Sequence, residues 1–322
     1  MRRREFITSL GGAAVWPIVA WAQQHKLLRV GYSGMLPRDT PHYAAFERRM
    51  AELGYQQDRN YSFEYIQAPN IDGYQLTYRE LAARKVDIML AAGNEPALRA
   101  AQAAAADIPI VFIALDFDPV EKGYVASLSR PGNNITGIFV SQLELAGKRI
   151  ELLREAFPRA QRVGLFLDAA SREQAVAAAA ASVKLGFEPR LLELIGEPPN
   201  YAAALIPMDD APSDPIMIPA SPLFLRDRVT IARTLLERHT PSICAFREVM
   251  ETGALMSYGV NLVDVFRDAA GFVDQVARGA KAGDVPMREP SHFHIAFNLK
   301  TAKALGLEMP LSLLVRADEV IE

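Results

Sequence analysis

Residues 86–119 read VDIMLAAGNEPALRAAQAAAADIPIVFIALDFDP, and this stretch decides the fold. Val86–Ala92, apolar apart from Asp87, reads as a buried strand ending at Gly93-Asn94. Pro96–Ala106 is rich in alanine, the strongest helix former. Ile108–Ala114 is a second continuous apolar run, closed by Asp116-Phe117-Asp118-Pro119. Apolar runs of this length without polar alternation predict strands buried on both faces. Strand, helix and strand in succession then predict a parallel sheet covered by helices.

The same alternation extends upstream. Leu27–Tyr32 reads as a strand ending at Ser33-Gly34. Thr40-Pro41 supplies an N-cap with proline in the first turn. Tyr43, Phe46, Met50 and Leu53 then mark one helical face, ended by Gly54. Tyr61, Phe63 and Tyr65 alternate as in a strand, and Tyr74–Arg84 is helical. Downstream a second unit begins. Leu143–Phe157 is an amphipathic helix, Val163–Leu167 a strand ending at Asp168, Glu173–Leu185 a helix and Pro189–Leu194 a strand. Residues 197–222 are proline-rich, with a short strand at Ile216–Ile218. Phe224–His239 is a helix, and Pro241–Ala245 leads into another strand. The tail holds strand-like Ala254–Tyr258, a helix from Asn261 to Arg278, a strand at Phe293–Phe297 and two short helices. Such a tail suits a chain that crosses between two α/β lobes.

The chain has 322 residues, half of them apolar, and a net charge of −3. That is enough for two ordinary domains. Near-balanced charge argues against a nucleic-acid binder or a polybasic membrane-surface protein. Residues 1–22 read as a cleavable export signal. Arg3-Arg4-Glu5-Phe6-Ile7 fits the twin-arginine pattern, an apolar stretch runs to Val19, and Ala20-Trp21-Ala22 supplies a small-x-small cleavage site. The signal carries three arginines against one glutamate, so cleavage after Ala22 leaves a mature chain of −5. No later segment is long and apolar enough to span a bilayer. The expected location is the periplasm, reached through the twin-arginine export machinery.

Chemistry-bearing motifs are scarce. The mature chain has no GxSxG, HExxH, P-loop or GxGxxG. Cys244 is the single cysteine and sits in an apolar run, which reads as a buried, inert thiol. His292 and His294 share a face if extended, but two ligands do not complete a metal site. The reading is no catalytic residue, no metal and no cofactor. The strand ends are more telling. Open parallel sheets bind ligands outside the carboxyl ends of their strands. Those ends carry Ser33, Asn94, Asp116, Asp118, Asp168, Ser221, Arg247 and Tyr258. All suit hydrogen bonding to a zwitterion or polar ring, and each singly also fits an ordinary cap or turn.

The chain resembles the ABC transporter substrate-binding proteins of type-I periplasmic-binding fold. Ile108–Ile113 followed by Asp118-Pro119-Val120, Gly123–Leu128 and Arg130–Gly137 are similar to the family pattern. So are Leu145–Arg149 with Glu151–Arg154, Ser257-Tyr258-Gly259, and the ending from Asn298 to Glu322. The resemblance implies two Rossmann-like lobes with parallel sheets, joined by about three hinge strands. These fall near Thr136–Val140, Ser257–Asn261 and Met287–Ser291. Lobe 1 is then 23–138 plus 260–287, and lobe 2 is 139–259 plus 288–322.

The resemblance also implies a small polar organic ligand, an amino acid or related compound, captured between the lobes and passed to ABC permease subunits. Ser33, Asn94 and Asp118 would hold one side of it, and Asp168, Ser221 and Arg247 the other. Phe117, Phe224 or Tyr258 would pack on an apolar part, and Phe117 and Phe224 equally suit the core. Some family members resemble receptors for aromatic amino acids. Two departures fall on the lobe-2 side. Asp168-Ala169-Ala170 replaces an Asn-Pro pair, and Ser221 replaces an aspartate before Pro222-Leu223-Phe224. The segment Pro207–Pro219 is also unusual. The alternatives are an exported sensor partner that docks to a receptor kinase, or an enzyme on the same scaffold.

Overall fold

A computed structural model describes residues 27–322 apart from 105, 116, 211 and 212. The expected export signal and Asp116 therefore lie outside the described residues. Two sheets form. The first contains β1 (Leu28–Gly34), β2 (Tyr61–Gln67), β3 (Ile88–Gly93), β4 (Ile110–Ala114) and β5 (Ile135–Phe139), in the order β2-β1-β3-β4-β5. All its pairings are parallel. The apolar runs of the opening stretch become β3 and β4, with every residue buried. Helices Pro41–Glu52, Tyr74–Ala83 and Glu95–Ala104 supply the crossovers.

The second sheet contains β6 (Arg162–Leu167), β7 (Glu188–Glu193), β8 (Ile216–Ile218), β9 (Ser242–Cys244), β10 (Met256–Gly259), β11 (His294–Asn298) and β12 (Glu319–Ile321). Its order is β12-β11-β10-β9-β8-β6-β7. This sheet is not wholly parallel: β11 runs antiparallel to β10, while β12 is parallel to β11. The reversal follows from connectivity. The chain reaches β11 by an excursion to the first sheet, so the right-handed crossover that enforces parallel pairing does not apply.

That excursion is the helix Leu262–Ala277. Asn261 caps it, its Oδ1 accepting from the Val263 amide at 2.9 Å. Leu262, Val265, Phe266, Ala269, Ala270 and Val273 form its buried face. This face packs on helix Pro41–Glu52 and on β3, β4 and β5 of the first sheet. Beyond it, the Arg288 amide donates to the Gly137 carbonyl at 3.0 Å, and Phe139 N–H donates to the Arg288 carbonyl at 2.9 Å. The chain thus passes between the sheets three times: after β5, after β10 and before β11. Gly137 shows how tightly the first passage is built. Its φ is +140°, and a Cβ there would run into the Phe112 carbonyl oxygen on β4, so glycine is required.

Candidate functional site: a cavity between the two sheets

Each sheet has a switch point. β1 lies between β2 and β3, and β6 lies between β7 and β8. Loops leaving the two central neighbours part in opposite directions and leave a crevice at the strand carboxyl ends. The two crevices face one another and share a cavity of about 50 Å³. The first sheet's side offers Tyr32, Met35, Gly93 and Leu115, with His42 and Phe266 from helices. The second offers Ala220 and Ser221 after β8, then Pro222, Leu225 and Phe246. Contact between the sides is close, since a Cβ on Gly93 would stand 3.4 Å from Pro222 Cγ. Lys122, which follows β4, and Glu173, in the helix after β6, form an ion pair at 2.6 Å. It is largely exposed and adds little stability. Typical small-molecule sites have roughly 300–1,000 Å³. A solute of amino-acid size therefore enters only if the two sides part or the lining repacks.

The wall is aromatic. Ring centroids of Tyr32 and Tyr43 stand 5.1 Å apart, His42 and Tyr43 4.2 Å, and His42 and Phe266 4.8 Å. Burial pushes the Tyr32 and Tyr43 hydroxyls well above the ordinary phenol range. Both are neutral, and their oxygens lie 3.2 Å apart. Burial also depresses His42 to about 3, with the Arg228 charge adding to the effect. The imidazole is neutral at pH 7. Its Nε2 meets Thr40 Oγ1 at 3.3 Å, and Nδ1 has no hydrogen-bond partner among the described residues.

A pH dependence follows. The unfolded chain protonates His42 near its ordinary value of about 6.5, while the folded chain resists protonation down to about 3. Stability is therefore lost as pH falls through that interval. Between pH 7 and 5 the wild type should lose about 2 kcal/mol more than His42→Gln. Urea unfolding of both proteins at the two pH values measures the difference.

The strand-end residues divide. Asp168 and Ser221 come together, Ser221 Oγ donating to Asp168 Oδ2 at 2.5 Å. Asp168 Oδ1 also accepts from the Ser171 amide at 2.8 Å and hydroxyl at 2.7 Å. Ser221 lines the cavity and caps the helix Pro222–Arg226. Asp168 stands behind it as its support. Asn94 follows cavity-lining Gly93 and is fully buried. Its Oδ1 accepts from the Ala97 amide at 3.3 Å, and its Nδ2 has no partner among the described residues.

The others lie elsewhere. Ser33 is buried in the first lobe, its Oγ donating to Thr77 Oγ1 at 2.7 Å. Asp118 caps the turn after it, accepting from the Val120 amide at 2.7 Å. Arg247 pairs with Glu251 at 2.6 Å and, through two nitrogens, with Glu319. Tyr258 turns its ring to Phe293 and its carbonyl to Arg149. Phe117 and Phe224 are core residues. Cys244 is fully buried, and burial pushes its thiol well up, so it stays protonated at pH 7.

A search for polar strand ends could not find Tyr32, His42, Phe246 and Phe266, because this cavity is mostly apolar. Phe266 reaches it from a helix of the tail, which only the fold places there. His42 carried a weak signal, being an imidazole just past the Thr40-Pro41 helix start.

Comparison with known proteins agrees with this geometry. The family model described as "ABC transporter substrate binding protein" matches residues 42–321. A tyrosine-binding protein of Clostridioides difficile is 24% identical over 269 residues, spanning 82% of this chain and 76% of that protein. The ABC domain from Streptococcus pneumonia in complex with L-Trp superposes with a TM-score of 0.82 at 21% identity, covering 92% of this chain and 100% of that one. A solute-binding protein from Rhodopseudomonas palustris in complex with 3,4-dihydroxybenzoic acid superposes at 0.56 with 14% identity, over 81% and 82% of the two chains. These structures share the type-I periplasmic-binding fold. With the family model matched across nearly all the described chain, and a cavity where two facing switch points meet, this protein belongs to the ABC transporter substrate-binding protein family.

Proposed function

We propose that the chain is the exported receptor of an ABC importer, and that it takes a small amino-acid-like solute bearing an aromatic or apolar group. One observation carries this reading. An apolar cavity walled by aromatic rings lies between the two lobes, and buried polar atoms without partners among the described residues, His42 Nδ1 and Asn94 Nδ2, lie at it or next to it. Buried polar groups in native proteins are normally paired, so these suit a ligand's polar end. The names of the tyrosine-binding relative and the tryptophan complex support an aromatic side chain. Ser221 would contribute from lobe 2, with Asp168 holding it.

Binding proceeds without chemistry. The lobes, 23–138 plus 260–287 and 139–259 plus 288–322, swing about the three crossings. A solute touching both lobes favours the closed form. Permease subunits then read the closed surface. Export follows the twin-arginine route, with cleavage after Ala22 and residence in the periplasm. Among the described residues no helix is long and apolar enough to cross a membrane.

The test uses protein beginning at Gln23, unfolded and refolded to strip any carried solute. Both tryptophans, Trp16 and Trp21, precede that start. Emission from bound L-tryptophan is therefore read without background from protein tryptophan. L-tryptophan, L-tyrosine, L-phenylalanine and 3,4-dihydroxybenzoate are titrated in turn. Saturable binding of at least one is expected, with thermal stabilisation of about 2.7 kcal/mol at 100 times Kd. Phe246→Ala should weaken it at least ten-fold. Recovery of the compound unchanged separates receptor from enzyme. No saturation by any aromatic compound would defeat the ligand class.

A further inference from the structure

His292 and His294 lie where the chain enters β11. Extended backbone puts residues two apart on one side, and the two rings stand 4.4 Å apart, edge to face. The fold then adds a third donor. Asp318 directly precedes β12, which pairs with β11. One ligand atom from each of His292, His294 and Asp318 lies within 4.8 Å of the others. Asp318 Oδ2 accepts from the Ile295 amide at 2.8 Å, which orients the carboxylate. Its Oδ1 faces His292 Nε2 at 3.3 Å.

We propose that His292, His294 and Asp318 form a site for a divalent transition-metal ion of the zinc, nickel and copper class. Imidazole with carboxylate favours such ions over magnesium or calcium. Three protein donors leave a position for water. Donors around zinc stand roughly 3.3–3.5 Å apart, and these surface side chains close that gap by rotamer changes. The Ile295 amide behind Asp318 is the kind of outer support that metal-binding carboxylates use.

The location gives the site a consequence. His294 Nε2 is 3.9 Å from Asp264 Oδ2. Asp264 lies in the first turn of the helix Leu262–Ala277, which packs on the first sheet, whereas the other three belong to the second. His292, His294 and Asp264 line one groove of about 580 Å³ beside the crossings between the sheets. An ion that recruits Asp264 ties the two lobes together in the arrangement seen here.

The experiment uses untagged protein starting at Gln23, stripped with a chelator and titrated calorimetrically with zinc and nickel salts, with magnesium as control. Binding of one zinc or nickel per chain is expected, and none of magnesium. His292→Ala and His294→Ala should each weaken it at least ten-fold, whereas His239→Ala should leave it unchanged. Asp318→Asn should also weaken it. The histidine variants keep the proposal testable if that substitution disturbs β11. Unfolding curves without metal confirm that each variant folds. Zinc binding of undiminished strength in the His292→Ala/His294→Ala double variant, or none up to millimolar zinc in the wild type, would overturn the site.

Discussion

Arg149→Ala is expected to destabilise the protein by about 3–4 kcal/mol. Arg149 is fully buried, and no carboxylate partners it among the described residues. Its Nε donates to the Tyr258 carbonyl at 2.7 Å, and an Nη donates to Gln142 Oε1 at 2.8 Å. Gln142 begins the helix after the first passage between sheets, and Tyr258 lies just before the second. One guanidinium therefore fastens two passages together. Burial lowers its pKa to about 10, so it still carries charge at pH 7. Truncation opens a cavity and strands two acceptors. Arg149→Met keeps the length of the chain and removes a charge that no counterion balances, so it should lose clearly less. Denaturant midpoints of the two variants decide the matter. Equal losses would mean that the hydrogen bonds dominate over the volume.

Asp168→Ala should cost about 2–4 kcal/mol, because it removes the acceptor of the Ser221 O–H and of both the amide and the hydroxyl of Ser171 in the interior. Its second effect distinguishes it from an ordinary core lesion. Ser221 and Pro222 form part of the cavity wall, and Asp168 sets the Ser221 rotamer. Affinity for the best aromatic solute should therefore fall at least ten-fold at temperatures where the variant remains folded. Asp168→Asn, which can still accept from Ser171, should be milder in both respects. Calorimetric titration beside urea unfolding separates the two effects. Unchanged affinity in a folded Asp168→Ala would remove Ser221 from the solute's surroundings.

Local pattern determined much of this protein. Apolar runs at 88–92 and 110–114, alternating with a helical stretch, suit strands buried on both faces of a parallel sheet, and they became β3 and β4. Proline, glycine and asparagine at element ends gave the helix starts and stops, since capping and chain reversal need only neighbours in sequence. The resemblance to substrate-binding proteins was legible from motifs spread along the chain. What adds up over long distances was not legible. Helix Leu262–Ala277 returns to the first sheet and brings Phe266 to Tyr32 and His42, a contact that no window of sequence contains. Asp168 and Ser221 were visible as separate strand ends, yet their pairing depends on β6 and β8 being neighbours. Arg247 was visible as a strand end, yet its pairing with Glu319 depends on β12 lying beside β11. The polar strand ends pointed to a polar cleft, whereas the assembled wall is aromatic. Side-chain direction depends on which faces meet, and only packing decides that.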